Sequence, residues 1–245
     1  MVIRFIKKFR KVIFIFFCLF FYCGNVWGAD CEQDITADVS GTSYNCNSND
    51  TFKVSEGVTV SKNTNNYPIN ANNKDNITID NYGTIRNNGT ITDRGNRPIY
   101  LENSSNINIY NRSTGTISAR KSGTIRVDYT DGPINIYNEG TISATQHGAI
   151  HNYARRVSGD IYIENSGIIR TTNSSVSSGH TGRHLGSITI LGDDSFTGAL
   201  TIINTGTIDV AGSKALPAIR FVNAGDNTLT TSGTISGGPE QSSGG

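Results

Sequence analysis

The chain has 245 residues, and its 21 basic and 20 acidic side chains nearly cancel, leaving a formal net charge of +1. Five of the bases precede position 29 without an acidic counterpart, so residues 29–245 carry 16 bases against 20 acids, a net −4. That balance argues against nucleic acid as the main partner, because phosphate neutralisation needs a basic face, and against attachment to anionic lipid by overall charge.

The first predicted element is a signal peptide over residues 1–28. Arg4, Lys7, Lys8, Arg10 and Lys11 make a positive leader, and Val12–Tyr22 is an unbroken apolar run of eleven residues. Eleven residues reach only about 16 Å as a helix, too short for a bilayer. Small residues follow at Gly28 and Ala29, as a cleavage site requires. Export is therefore expected, with no membrane-spanning segment in the mature chain. Cys18 and Cys23 would leave with the leader, and Cys31 and Cys46 remain. In an oxidising compartment that pair reads as a disulfide closing a short loop. Metal ligation is not expected, since no further soft ligand lies nearby.

Residues 29–66 alternate loosely through Ile35, Val39, Phe52, Val54, Val58 and Val60. They are expected to form an N-terminal β cap stapled by the cysteines. From residue 67 to 236 a phrase recurs: ITIDNYGTI, INIYNRSTGTI, INIYNEGTI, IYIENSGII, LTIINTGTI and the decayed TLTTSGTI. Each copy opens with an alternating apolar pair on one strand face. Asn81, Asn111, Asn138, Asn165 and Asn204 keep that parity and should point inward as an amide ladder. Gly83, Gly115, Gly140, Gly167 and Gly206 are expected to turn the corner through positive φ. One isoleucine of the next strand then points inward, from Ile85 to Ile235. A third strand signal lies between phrases, at Ile69, Ile99, Ile125, Ile150, Ile188 and Ile219. Three strands and three corners per repeat predict an all-β parallel β-helix of about six rungs. Residues 237–245 are a Gly/Ser tail unable to cover the last rung, so the chain is expected to continue in the natural product.

The leader, the cysteine-bearing segment with Val54–Val60, and the N-x-G-T-I rungs resemble an autotransporter passenger domain of bacterial type V secretion. The resemblance covers residues 1–236 and implies a right-handed parallel β-helix on the cell surface or outside the cell. The family's C-terminal membrane β-barrel is not recognisable in this sequence. Adhesion and autoaggregation are the implied roles, and the family's catalytic motifs are not matched.

Candidate chemistry is sparse, and no cofactor is expected. His147/His151 and His180/His184 have H-x-x-x-H spacing, which in extended chain separates them by about 13 Å, too far to share an ion. Exposed positions near corners are expected for them. The long connections Arg170–Ser187, Ala154–Gly159 and Leu191–Gly198 are the better candidates, since solenoid insertions build binding surfaces. Arg155, Arg156, Arg183 and His184 would make them a basic patch for an anionic glycan or lipid head group. The enzyme alternative is a β-helical polysaccharide lyase or glycoside hydrolase, which needs clustered carboxylates. Asp80, Asp93, Glu102, Asp128, Glu139, Glu164 and Asp209 are scattered, and Asp193-Asp194 is the one tight pair away from the ends. The expected function is a non-enzymatic surface stalk or adhesin meeting a host or environmental glycan.

Overall fold

The computed structural model describes residues 29–64, 66–89, 96–152, 157–172, 186–191, 197–211, 216–222 and 226–237. The leader and the tail lie outside them. Three strands make each turn of the chain. The first rung is β1 (Ala29–Asp30), β2 (Gln33–Ile35) and β3 (Val39–Ser40); the second is β4 (Tyr44–Asn45), β5 (Thr51–Val54) and β6 (Thr59–Lys62). The third is β7 (Ile69–Asn70), β8 (Thr78–Asn81) and β9 (Thr84–Asn87), and the fourth β10 (Ile99–Glu102), β11 (Ile107–Asn111) and β12 (Thr116–Ala119). Then come β13 (Ile125–Asp128), β14 (Ile134–Asn138) and β15 (Thr141–Ala144), and β16 (Ile150–His151), β17 (Ile161–Asn165) and β18 (Ile168–Thr171). The seventh rung is β19 (Ile188–Leu191), β20 (Leu200–Asn204) and β21 (Thr207–Val210), and the eighth β22 (Ile219–Val222), β23 (Asn227–Thr231) and β24 (Thr234–Ser236).

Every third strand pairs with the next in parallel, giving three eight-stranded sheets: A from β1 to β22, B from β2 to β23, and C from β3 to β24. This is a parallel β-helix of eight rungs, two more than the phrase count predicts. The difference lies in residues 29–62, which are two full rungs of the same three sheets. Their signal is degenerate. In β5 and β6, Val54 occupies the position of Asn81 and Val60 that of Ile85. Two extra residues lengthen the corner between them, compared with that from Asn81 to Thr84, and Gly57 takes φ 75° there.

The interior is built from columns. Ile79, Ile109, Ile136, Ile163 and Ile202 align on sheet B, and Ile85, Ile117, Ile142, Ile169 and Ile208 on sheet C. Ile69, Ile99, Ile125, Ile150 and Ile188 do so on sheet A, and all these side chains are buried. Each is worth about 1.5–3 kcal/mol in removal from water. A strand with one such residue would be marginal alone; parallel stacking makes each rung the cover of the next.

The corner glycines correct the expected reason for their presence. Among the described glycines, positive φ occurs at Gly41, Gly57 and, near the extended limit at 158°, Gly186, not at Gly83, Gly115, Gly140, Gly167 or Gly206. Close stacking demands them instead. A Cβ on Gly167 would lie 2.1 Å from the Gly140 carbonyl oxygen, and one on Gly206 would lie 2.2 Å from that of Gly167. The glycines form a column whose backbones nearly touch.

Candidate functional site

The inward asparagines form the ladder their parity predicts. Asn81 Nδ2 donates to Asn111 Oδ1 at 2.8 Å. Asn111 to Asn138, Asn138 to Asn165 and Asn165 to Asn204 follow, each at 2.7 Å. Each Nδ2 also reaches a corner carbonyl of its own rung, as Asn138 does to Gly140 O at 3.3 Å. One side chain thus fastens a corner and two rungs. Asn204 ends the series on Thr231 Oγ1 at 3.2 Å. At the other end Asn81 Oδ1 is buried without a partner, because the residue stacked on it is Val54. This ladder is structural. The Cys31–Cys46 disulfide is also present, with Cα atoms 4.4 Å apart, and joins the first two rungs at the residue following β1 and β4.

The outward side chains differ from sheet to sheet. On sheet B they make an aromatic and polar strip. The Tyr110 and Tyr137 rings stack with centroids 4.9 Å apart and planes 7° apart, and Tyr162 continues the row at 5.7 Å. Arg112 lies over both Tyr82 and Tyr110, held by Asp80 at 2.7 Å. That hydrogen bond strengthens the guanidinium's hold on its proton. The Tyr162 hydroxyl donates to Glu164 at 2.9 Å, and this bond, with burial, raises its pKa. Burial, then Tyr110 and Glu164, raise that of Tyr137. The Tyr137 and Tyr162 phenols therefore stay protonated donors. Beside them, Asn135 Nδ2 donates to Asn108 Oδ1 at 3.0 Å, a second amide contact on the outside.

Sheet A is different, since in rungs four to six the outward Tyr100, Arg126, Asp128 and His151 are buried and Glu102 is half-buried. Tyr100 stacks on Tyr67 at 4.2 Å, and Arg126 lies 5.7 Å over the Tyr100 ring. Arg126 pairs with Asp128, both out of water. His151 aligns with Arg126, and its ring is 6.4 Å from that of His147. The expectation that these two histidines are exposed is wrong: His147 is 5% and His151 0% accessible. Two physical reasons account for it. The segment between them turns a corner, so extended-chain spacing does not apply, and Gly123 leaves room for the imidazole. A Cβ on Gly123 would sit 1.8 Å from His151 Cε1. Strand alternation reported which way His151 points but not that this face is covered.

Arg155, Arg156, Arg183 and His184 lie outside the described residues, as do His180, Asp93, Asp193 and Asp194. Chain order places Arg155 and Arg156 in the connection from β16 to β17, and Arg183 and His184 in that from β18 to β19. Both connections adjoin sheet A. Of the carboxylates weighed for catalysis, Asp80, Asp128 and Asp209 are each engaged by an arginine, Asp209 by Arg170 at 2.8 Å. Among the described residues no group of three metal-binding side chains gathers, and no helix is long and apolar enough to cross a membrane. No family model, curated protein or solved structure matches the chain.

Proposed function

We propose that the protein is an exported, non-enzymatic β-helical rod of the autotransporter-passenger kind, acting as a surface stalk or adhesin for extended glycans. The observation that carries this reading is the strip along sheet B. Tyr110, Tyr137 and Glu164 make one outward column and Asn108, Asn135 and Tyr162 the column beside it, at one rung per step. A surface whose hydrogen-bonding groups recur at about 4.8 Å suits a polymer lying along the axis. Phenol edges, amides and carboxylates are donors and acceptors for hydroxyls, and the strip is part of a rigid sheet rather than a loop. The carboxylates on the faces support binding over hydrolysis, because those paired with arginine are committed to their partners.

The test is carried out on cells producing the full chain. They should retain immobilised polysaccharide above cells carrying an empty vector, with the chain open to added protease and no reducing ends released. Replacing both Tyr137 and Tyr162 by alanine should lower retention about tenfold, the size of effect expected for losing two such contacts. Release of reducing ends would move the assignment to the lyase or hydrolase alternative.

A further inference from the structure

We propose that a polar groove on the outer face of sheet C, at the first three rungs, is a subsite for the carboxylate-bearing residue of an acidic polysaccharide. The proposal rests on the glycan-contacting rod described above and names the chemistry it selects. The groove has a volume of about 310 Å³ and is lined by Asp38, Ser40, Ser61, Asn63, Arg86 and Asn88, among others. That is the lower end of the size range of small-molecule sites, enough for one or two sugar units.

Register builds it. Ser40, Ser61 and Arg86 are consecutive members of one outward column. Neighbouring strands stand about 4.8 Å apart, so the two hydroxyls and the guanidinium form a row. Ser61 lies at the floor, 7% accessible, whereas Arg86 and Asn63 are exposed at the rim.

Arg86 is the distinctive member. Arg112, Arg126 and Arg170, which also project from sheet faces, are each neutralised by an aspartate. Arg86 pairs with no carboxylate among the described residues. Asp38, the acid in the groove, directs Oδ1 to the Thr59 amide at 2.7 Å. Its other oxygen is left to accept from a hydroxyl. A free guanidinium presents a two-pronged donor set that matches a carboxylate. The surrounding Ser, Asn and Asp groups match the hydroxyls of a sugar better than the apolar side chains of a peptide. A uronic acid unit satisfies both halves of the groove.

The experiment titrates the full chain, purified from a secreting host, with three probes by calorimetry: trigalacturonate, its fully methyl-esterified form, and a tetraglutamate peptide. The acidic sugar should bind saturably, and the ester and the peptide at least about tenfold more weakly, the discrimination expected of one charge-assisted bidentate contact. Arg86→Gln should lose about tenfold in affinity for the acid while leaving the weak binding of the ester unchanged, and Arg86→Lys should retain part of it. Arg170→Gln, which breaks a pair on the same sheet three rungs away, should bind as the parent does. Because Arg86 is exposed, the variant's circular dichroism and melting curve should match the parent's. Equal binding of acid and ester, equal binding of the peptide, undiminished binding by Arg86→Gln, or no saturable binding of the acid each overturns the subsite. Loss of acid selectivity with cell retention on neutral polysaccharide intact would overturn the groove alone; loss of retention altogether would overturn the rod's adhesive role.

Discussion

At the scale of the residue, asparagine and glycine limit what this coil tolerates, for different reasons. Asn138 gives its acceptor to Asn111 and its donor to Asn165, in a site with 1% accessibility. Asn138→Ala would leave one buried donor and one buried acceptor without partners, at about 1–3 kcal/mol each. The variant should lose about 3–5 kcal/mol, read as a fall in the denaturant midpoint at unchanged slope. Thr231→Ala removes only the outermost contact of the same column, and Asn204 Nδ2 keeps Gly206 O and Thr234 O. That change should cost less than about 1 kcal/mol; equal losses at the two sites would contradict a continuous ladder. The glycines admit an equally sharp comparison. Gly167→Ala drives a methyl into the Gly140 carbonyl, which the stack holds in place, and should cost about 3 kcal/mol or more. Gly57→Ala meets open space and bears only the left-handed backbone, about 1–2 kcal/mol. A thermal melt in which Gly57→Ala is the worse variant would reject close rung contact as the reason for the glycine column.

At the scale of the element, the disulfide is the one covalent tie between rungs among the described residues. It lies where the apolar phrase is weakest, joining rungs whose sheet-A strands are two residues each. On loop entropy, closing about fifteen residues stabilises by about 3 kcal/mol. Reduction should therefore expose β1 to β6 to limited proteolysis while β8 to β20 stay protected, with cleavage sites mapped by mass spectrometry. Digestion of the whole chain at once would mean the first two rungs nucleate the rest. The elements also show what sequence could reveal. Apolar alternation and the recurring Asn and Gly sufficed to place rungs three to eight, because those positions are fixed by burial that any in-register stack imposes. Rungs one and two escaped because Val54 replaces the asparagine and two inserted residues lengthen the corner that holds Gly57. The ladder was legible for the same reason as the core: parity decides it. The sheet faces were not. Whether Tyr110 stacks on Tyr137, or His151 is covered, depends on side-chain packing with neighbours 25–27 positions away, which strand parity does not specify. The groove at Arg86 has no sequence signal beyond a basic residue after a Thr-Ile pair, and only the lack of an ion-pairing acid among the described residues sets it apart.

At the scale of the whole molecule, seven steps of about 4.8 Å make a rod roughly 34 Å long along the rung axis. Its stability is close to a sum over neighbouring rungs, so the ends should open before the middle. The two ends are unlike. At the first rung Cys31 is 0% and Ile35 6% accessible. At the eighth, Leu229 occupies the inward position paired with Ile202 yet is 47% accessible, and all of β23 is exposed. A rung with its apolar side chain in water contributes little, and among the described residues no further strand pairs with its outer edge. Amide exchange should accordingly run as a gradient: β23 and β24 within the fastest class, β20 and β21 next, and β11, β14 and β17 slowest. The first two rungs should resist better than their short strands imply while the disulfide is intact, and should join the fast class on reduction. Exchange by mass spectrometry at peptide resolution distinguishes this from a single cooperative block, in which the strands of all rungs would exchange at one rate set by global unfolding. The same gradient bears on the glycan-contacting surface. The sheet-B strip from Tyr110 to Tyr162 lies in the most protected rungs, so the tyrosines are held in place on the timescale of binding, and soaking with polysaccharide should slow exchange in β11, β14 and β17 without altering β23.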